Sequence, residues 1–277
     1  MIKPLVSIIL AVHNEENFIT KTLDSILHQT FKDFELIVIN DCSKDKTGEI
    51  LKSYASSDPR IKVIKNETCM GLARSLNKGI EISEAKYIAR IDAGDIAEKS
   101  RLEKQVKYME EFSDVSVLGS WAYLIDIKGE VIGEWRVPEE VNARILYMKN
   151  GVVHPTVLIR KELFSNIGKY NFSFKHAEDY ELWARALKNK AKLMNLQEFL
   201  TFVSQRAEGV TRKHFKGMRK DTFRIKLKYL PYFFSIQNLL STLRSLLGYI
   251  LPTSISYYLS NKYAKALADK MFKKNKF

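Results

Sequence analysis

Apolar runs of strand length and amphipathic runs of helix length take turns along the N-terminal part of this chain. Leu5–Val12 is an apolar strand-like run, and a helix follows from about Glu15 to Gln29, with Phe18, Ile19, Leu23, Ile26 and Leu27 on one side. Phe34–Ile39 reads as the second strand and Asp45–Tyr54 as a helix with an acid near its start. Ile61–Ile64, the helix Gly71–Ile82 and the strand Lys86–Ile91 continue the series. Parallel strands need crossover connections of helix length, so this order predicts βαβ units and a mainly parallel sheet. Val115–Leu118, Ala122–Ile125 and Val131–Trp135, with Lys128-Gly129 as a turn, predict a later antiparallel addition. The fold class is α/β.

Three acidic stations punctuate this pattern. Asn40-Asp41 follows the second strand, Asp92-Ala93-Gly94-Asp95 follows the fourth, and Glu178-Asp179 opens an amphipathic helix. Open α/β sheets bind ligands outside the carboxyl ends of their strands, which is where the first two stations fall. Carboxylates there can hold a nucleotide, a metal or a reacting hydroxyl.

Composition narrows the classes. The chain has 277 residues, of which 45% are hydrophobic, ample for a core. Cys42 and Cys69 are too few for a disulfide framework or a zinc site, which fits a reducing cytoplasm. Met1-Ile2-Lys3-Pro4 runs straight into a strand and does not read as a cleavable signal. The net charge of +13 invites a nucleic-acid reading, but from Arg212 onward there are 15 Lys/Arg and 2 Asp/Glu. All the excess sits in that segment, and residues 1–211 balance at 30 basic against 30 acidic. No nucleic-acid-binding motif accompanies it, and no nucleic-acid partner is expected.

No G-x-G-x-x-G follows the first strand, and no G-x-x-x-x-G-K-[ST] occurs. A nucleotide must be held another way. Asp41 can accept hydrogen bonds from a base or ribose, or serve as a turn former or helix cap. The loop Asn66–Gly71 leads into a helix N-terminus that can meet phosphate or ribose oxygens.

Several short blocks now fall in a familiar order. Ser7-Ile8-Ile9-Leu10-Ala11-Val12-His13-Asn14-Glu15-Glu16 is similar to S-[VI]-I-I-P-x-Y-N-x-E, and Val38-Ile39-Asn40-Asp41-Cys42-Ser43-Lys44-Asp45-Lys46-Thr47 to V-[DN]-D-G-S-x-D-x-T. A central block runs from Asn66 through Gly71-Leu72, Ser75-Leu76-Asn77, Gly79-Ile80 and Ala89-Arg90-Ile91-Asp92 to Arg101-Leu102. His154-Pro155-Thr156 and Ala177-Glu178-Asp179-Tyr180-Glu181-Leu182-Trp183 complete the series. Together they resemble the family 2 glycosyltransferases over nearly all of residues 5–211.

The resemblance implies a GT-A, or nucleotide-diphospho-sugar transferase, fold: a mainly parallel mixed sheet flanked by helices, here with a C-terminal helical extension. It implies a catalytic domain over 1–211, with about 1–98 binding the nucleotide sugar and about 99–211 the acceptor and catalysis, and a basic extension over 212–277. Ala11, His13 and Glu15 would border the nucleobase and ribose, and Asp41 would bond the base edge. Gly71, Asn77 and Arg90 would lie on the donor side, and His154 and Trp183 on the acceptor side. Asp92 and Asp95 would be the ends of a D-x-D-D station for a divalent cation, Mn²⁺ or Mg²⁺, and the diphosphate. Asp179, beside Glu178, would be the general base for the acceptor hydroxyl, in a single displacement that inverts the anomeric centre. The implied partners are a nucleotide-diphosphate sugar and a hydroxyl acceptor, a lipid-linked or surface glycan.

Departures from the pattern fall at the same stations. Ala11 stands where Pro is usual, His13 where Tyr is, and Cys42 where Gly is. Gly94 removes the middle carboxylate of the metal station, and Gln205-Arg206-Ala207-Glu208 lacks a histidine that often follows this strand. Asp95 or Glu208 can substitute as ligands. His154 also reads as a structural hydrogen-bonder and Trp183 as helix packing. Arg90 and Arg101 read as phosphate neutralisers or as salt-bridge partners within the station.

At the C-terminus, Ile236, Leu239, Leu240, Leu243, Leu246, Leu247 and Ile250 recur at helical spacing, and Pro252 separates them from a second helix ending in Lys270, Lys273, Lys274 and Lys276. A helix over Ser235–Leu251 is about 25 Å long, below the ~30 Å bilayer core, so it predicts a helix lying on an anionic membrane surface rather than spanning it. That places the protein in the cytoplasm or peripherally on the inner face of the membrane. A helical cap or oligomer interface is the plainer reading. Two further functions stay open: a non-catalytic nucleotide-sugar-binding subunit, favoured by Gly94, and a membrane-binding protein acting through its basic tail.

Overall fold

The central strands of the sheet are buried because helices cover both faces, which is why their sequences read as apolar runs rather than alternations. A computed structural model describes residues 3–205 and 215–251 of the chain. In chain order the elements are β1 (Val6–Val12), α1 (Ile19–Leu27), β2 (Phe34–Asp41), α2 (Thr47–Ser57), β3 (Ile61–Asn66), α3 (Leu72–Ile82) and β4 (Tyr87–Arg90). Then come β5 (Ile96–Ala97), α4 (Arg101–Glu111), β6 (Val115–Ile125), β7 (Val131–Trp135), β8 (Glu140–Val141) and α5 (Ala143–Met148). A 3₁₀ turn (His154–Thr156), β9 (Leu158–Arg160), α6 (Lys161–Ile167), α7 (Glu178–Lys188) and β10 (Lys192–Ser204) follow. Two helices close the described chain, α8 (Phe215–Tyr229) and α9 (Ile236–Ile250).

One sheet joins all the strands in the order β3-β2-β1-β4-β9-β6-β10-β5, with β7 on β6 and β8 on β10. The first four are mutually parallel, and β9 runs antiparallel to both β4 and β6. Strand direction alternates side chains between faces. Ile8 and Leu10 of β1 join a core with Ile19, Leu23 and Ile26 of α1 and Leu102, Val106 and Met109 of α4. Ile9 points to the other face, with Leu76 and Ile80 of α3, Trp183 of α7 and Ile225 of α8. Gly79 lets α3 approach β1: a Cβ there would lie 2.6 Å from Ile9 Cγ2.

The chain leaves β1 toward β2 on one side, and β4 lies on the other. The order of the parallel strands reverses there, and the carboxyl ends of β1, β2 and β4 open on a common rim. This is the crevice where open α/β sheets take ligands.

The observed elements refine several expectations. The helix expected from Glu15 starts at Ile19. Asn14 adopts a left-handed φ of 55°, and the amides of Asn14, Glu15 and Glu16 bond instead to Ser43 Oγ, Thr47 Oγ1 and Asp45 Oδ2. Asp45 does not enter α2; its carboxylate accepts the Thr47 amide at 3.0 Å and so caps the helix from outside. The two strands expected over Val115–Ile125 are one, β6, antiparallel to β7 but parallel to β10. The helix expected from Ser235 is α9, with the Ser235 hydroxyl accepting the Asn238 amide. Among the described residues, no helix is long and apolar enough to cross a membrane. Glu208, Pro252 and the lysine-ended second helix lie outside the described residues.

Candidate active site

Asp41, at the end of β2, holds the loop that leads into α3. Its Oδ1 accepts Asn66 Nδ2 and the Met70 amide, and its Oδ2 accepts the Gly71 amide, each at 2.8 Å. Gly71 takes a φ of 83°, which glycine adopts freely, and becomes the N-cap of α3. Burial pushes the Asp41 carboxyl up, but the hydrogen bonds from Asn66, Met70, Gly71 and Ser75 outweigh it and hold the group below the ordinary value of 3.8. The carboxylate sequence reading gave to a base edge is therefore spent largely on the scaffold that shapes this side of the rim.

His13 stands exposed at the end of β1, where its Nδ1 donates to the Asp41 carbonyl at 2.7 Å and its Nε2 accepts Asn14 Nδ2 at 3.1 Å. Cys42 has a left-handed φ of 58°, which explains why the related pattern carries glycine there. The structure joins Cys42 to Cys69 by a disulfide, with the Cα atoms 5.2 Å apart. The expectation that two cysteines are too few for a disulfide framework thus meets a single bridge, which ties the end of β2 to the loop before α3. Ligand atoms of His13, Cys42 and Cys69 lie within 4.8 Å of one another. With the sulfurs bonded to each other and His13 Nδ1 donating, that cluster offers no thiolate to a metal. Ala11 is half-buried against the α3 side of the core, and Glu15 is half-buried beside α2.

The middle station sits at the end of β4. Gly94 has a φ of 96°, so the turn itself favours glycine where the pattern has a carboxylate. Thr22 of α1 clamps that turn: its Oγ1 accepts the Gly94 amide and donates to the Asp95 carbonyl. Arg90 is buried and pairs with Asp92, while its Nε and Nη1 have no hydrogen-bond partner among the described residues. Burial works against its charge, yet Asp92, Tyr170, Asp95 and Glu178 around it keep the guanidinium protonated. Arg101 belongs to the scaffold instead, donating to the carbonyls of Arg90 and Val157 and to Gln105.

Asp95 is buried. Its Oδ1 accepts the Ser204 amide at 2.9 Å, and its Oδ2 has no partner among the described residues. Burial, reinforced by repulsion from Asp92, pushes its carboxyl up to about 8. The Asp92 side chain is 41% exposed and opens to the rim. An open carboxylate backed by an orphaned buried one is a hard-oxygen donor set, and it fits a divalent cation that takes its remaining ligands from a diphosphate and water.

Glu178 and Asp179 occupy the first turn of α7. Asp179 Oδ2 accepts Asn150 Nδ2 at 2.8 Å, and the first-turn amides of α7 favour its charged form. Burial nevertheless raises its carboxyl above the ordinary value. Burial and repulsion from Asp179 push Glu178 up to about 8. Both carboxylates lie in the field of Arg90, and Glu178 also in that of Asp92.

His154 and Trp183 lie inward of this surface. His154 Nε2 hydrogen-bonds the Tyr170 hydroxyl at 2.8 Å, and burial, with the nearby Arg90 charge, keeps the imidazole neutral. Trp183 is wholly buried with its ring edge-on to His154, so it packs α7 rather than lining an acceptor surface. Asn77 exchanges two hydrogen bonds with the Tyr170 backbone and so places Tyr170. Tyr170, Asn150 and Thr22 escaped sequence reasoning. Their partners lie far along the chain, and none sits in a motif.

A parallel β3-β2-β1-β4 half joined to a mixed half, with carboxylates at the switch-point rim, defines the GT-A class of nucleotide-diphospho-sugar transferases. The family model for Glycosyl transferase family 2 matches residues 7–168, and the chain belongs to that family. An uncharacterised glycosyltransferase of Methanocaldococcus jannaschii is 38% identical over 206 residues, covering 72% of this chain and 70% of that one. The UDP-Glc:α-D-GlcNAc-diphosphoundecaprenol β-1,3-glucosyltransferase WfaP of Escherichia coli is 31% identical over 215 residues, 77% of this chain and 82% of that one. The mannosyltransferase PcManGT of Pyrobaculum calidifontis, solved with GDP-Man and Mn²⁺, shares the fold with a TM-score of 0.66 at 15% identity, over 96% of this chain and 81% of that one.

If Asp41 organises the loop, Asp41→Ala takes a partner from the buried Asn66 amide and frees the Met70 and Gly71 amides, and costs about 1–3 kcal/mol. Urea denaturation reads this, and an unchanged midpoint would contradict the assignment. Because its folded pKa lies below 3.8, the contribution of Asp41 is present above that pH and lost as pH falls through the lower folded value.

Proposed function

We propose that the protein transfers a sugar from a nucleotide-diphosphate donor to a hydroxyl acceptor with inversion, and that Asp179 is the general base. The observation that carries this reading is the raised, Asn150-oriented carboxylate of Asp179 in the same electrostatic cluster as Arg90 and Asp92. An acceptor hydroxyl is a poor nucleophile near neutral pH. A carboxylate whose pKa lies nearer to neutral accepts its proton more favourably and contributes roughly 10²–10⁴-fold. The acceptor oxygen then bonds the anomeric carbon as the bond to the diphosphate oxygen breaks on the opposite face. The proton passes to Asp179 and the electron pair leaves on the nucleoside diphosphate.

Arg90 is the chain's own counter-charge for that leaving group, held in place by burial and by Asp92. Asp92, with Asp95 behind it, would hold a divalent cation, which supplies Lewis-acid stabilisation of the diphosphate when bound. His13, Ala11 and Glu15 border the base side of the donor, and the loop organised by Asp41 completes it. A glycan on a lipid carrier is the acceptor class favoured by the relative that acts on a diphosphoundecaprenol-linked sugar. Such an acceptor places the protein on the inner face of a membrane. We take residues 1–211 as the catalytic unit and 212–277 as its basic extension.

Asp179→Asn keeps the shape and the Asn150 contact but cannot take the proton. Transfer is expected to fall roughly 10²–10⁴-fold while donor affinity by calorimetry stays within about twofold. Transfer at the wild-type rate would remove Asp179 from the mechanism. For the cation, nucleotide sugars at about a hundred times their dissociation constant stabilise a protein by about 2.7 kcal/mol. Thermal shifts should therefore be larger with Mn²⁺ than with EDTA, and Asp92→Asn should abolish the difference. Equal shifts in both buffers would mean that the donor binds without a metal.

A further inference from the structure

The last described helix is amphipathic the wrong way round for a helix that merely caps a core. Four polar residues of α9 face the protein: Asn238 and Thr242 are buried, Ser241 donates to the Tyr147 carbonyl, and Ser241 and Ser245 both accept Lys226 Nζ of α8. Five of its apolar residues face outward. Ile236 is 74% exposed, Leu240 59%, Leu243 48%, Leu247 59% and Ile250 68%. These recur at alternating spacings of four and three and so form one continuous stripe. Tyr232 and Phe234, in the turn joining α8 to α9, extend it with exposed aromatic rings.

We propose that this stripe docks on an anionic lipid surface, with α9 lying in the interfacial plane. Charge selects the occupant. Lys216, Lys220, Arg224 and Lys228 repeat on the exposed side of α8, and Arg244 is exposed on α9. No acidic residue occurs in α9, and the excess charge of the whole chain lies in residues 212–277. An apolar face with aromatic residues at its edge and basic residues beside it suits the headgroup boundary of an anionic bilayer. A second copy suits it poorly. Two chains of net charge +13 would meet along helices with no carboxylate to pair across the seam.

The hairpin is also tied to the candidate active site. Tyr229 of α8 donates to Glu181 Oε1 of α7 at 2.7 Å, Lys228 pairs with the same oxygen, and Ile225 packs in the core that holds Trp183. Glu178 and Asp179 precede Glu181 by three and two residues on α7. A surface that seats α9 therefore fixes the height of the Asp179 carboxylate above the lipid. The docking stands apart from the transfer reading, whereas its consequence for a lipid-borne acceptor rests on that reading.

The test is co-sedimentation of the full chain with vesicles of phosphatidylglycerol and phosphatidylcholine, and with phosphatidylcholine alone, in the absence of donor and acceptor. The wild-type protein should partition onto the anionic vesicles, more weakly as salt rises. Leu240→Glu with Leu247→Glu should lower the partition coefficient at least about tenfold, and each of Lys216→Gln, Lys220→Gln and Arg224→Gln about fivefold. All five positions are exposed, so circular dichroism and the thermal midpoint should match wild type, as should donor binding. Wild-type partitioning that does not prefer anionic vesicles, or that survives the double substitution, overturns the proposal. So does a dimer that the double substitution converts to monomer while vesicle binding is unchanged. Transfer by Asp179→Asn at the wild-type rate would sink the general-base reading and leave this result untouched, so the two readings fail separately.

Discussion

One buried guanidinium sets the terms for the candidate active site. Arg90 comes to the rim on β4, where burial alone would disfavour its charge, and it is kept charged by three acids from two places in the chain. Asp92 and Asp95 follow it in sequence, and Glu178 arrives from α7 across the sheet. Remove the cation and three carboxylates face one another in a site of low dielectric, where like charges raise one another's pKa. Remove the acids and the cation is stranded. The rim is thus a balanced cluster whose spare capacity, two guanidinium nitrogens and one Asp95 oxygen without a partner among the described residues, is of the kind a charged donor would use.

Much of the fold was legible because periodicity reports burial. The apolar runs at Leu5–Val12 and Phe34–Ile39 became β1 and β2 with both faces covered, and the stripes on either side became α1 to α3. Boundaries failed where side chains captured backbone amides. The start of α1 moved because Ser43, Thr47 and Asp45 took the amides of residues 14–16, pairings some thirty residues apart that no local pattern reveals. The parallel pairing of β6 with β10 is longer in range still.

The candidate site was legible as a set of stations but not as a set of contacts. Asp41, Arg90, Asp92 and Asp179 reach the rim because strand ends and a helix N-terminus put them there. What each carboxylate touches depends on residues outside every motif: Met70 and Gly71 amides for Asp41, Asn150 for Asp179, Tyr170 for His154. Two departures from the family pattern acquire physical reasons. Gly94 occupies a left-handed turn pinned by Thr22, and Cys42 pays a left-handed φ while bridging to Cys69. The amphipathic C-terminal helix was visible in sequence, but which face meets the protein was not. Hydroxyls packed inward against Lys226 decide it.

The central claim is that a carboxylate with a raised pKa takes the acceptor proton. Its most direct test is the pH dependence of kcat at saturating donor and acceptor, from about pH 5 to about pH 9. Burial holds Asp179 above the ordinary 3.8, beside a Glu178 pushed up to about 8. The base must be ionised to work, so the rate should climb with pH along a limb whose midpoint lies above the ordinary aspartate value. A rate that stays flat across this range, or falls as pH rises through it, would contradict the account.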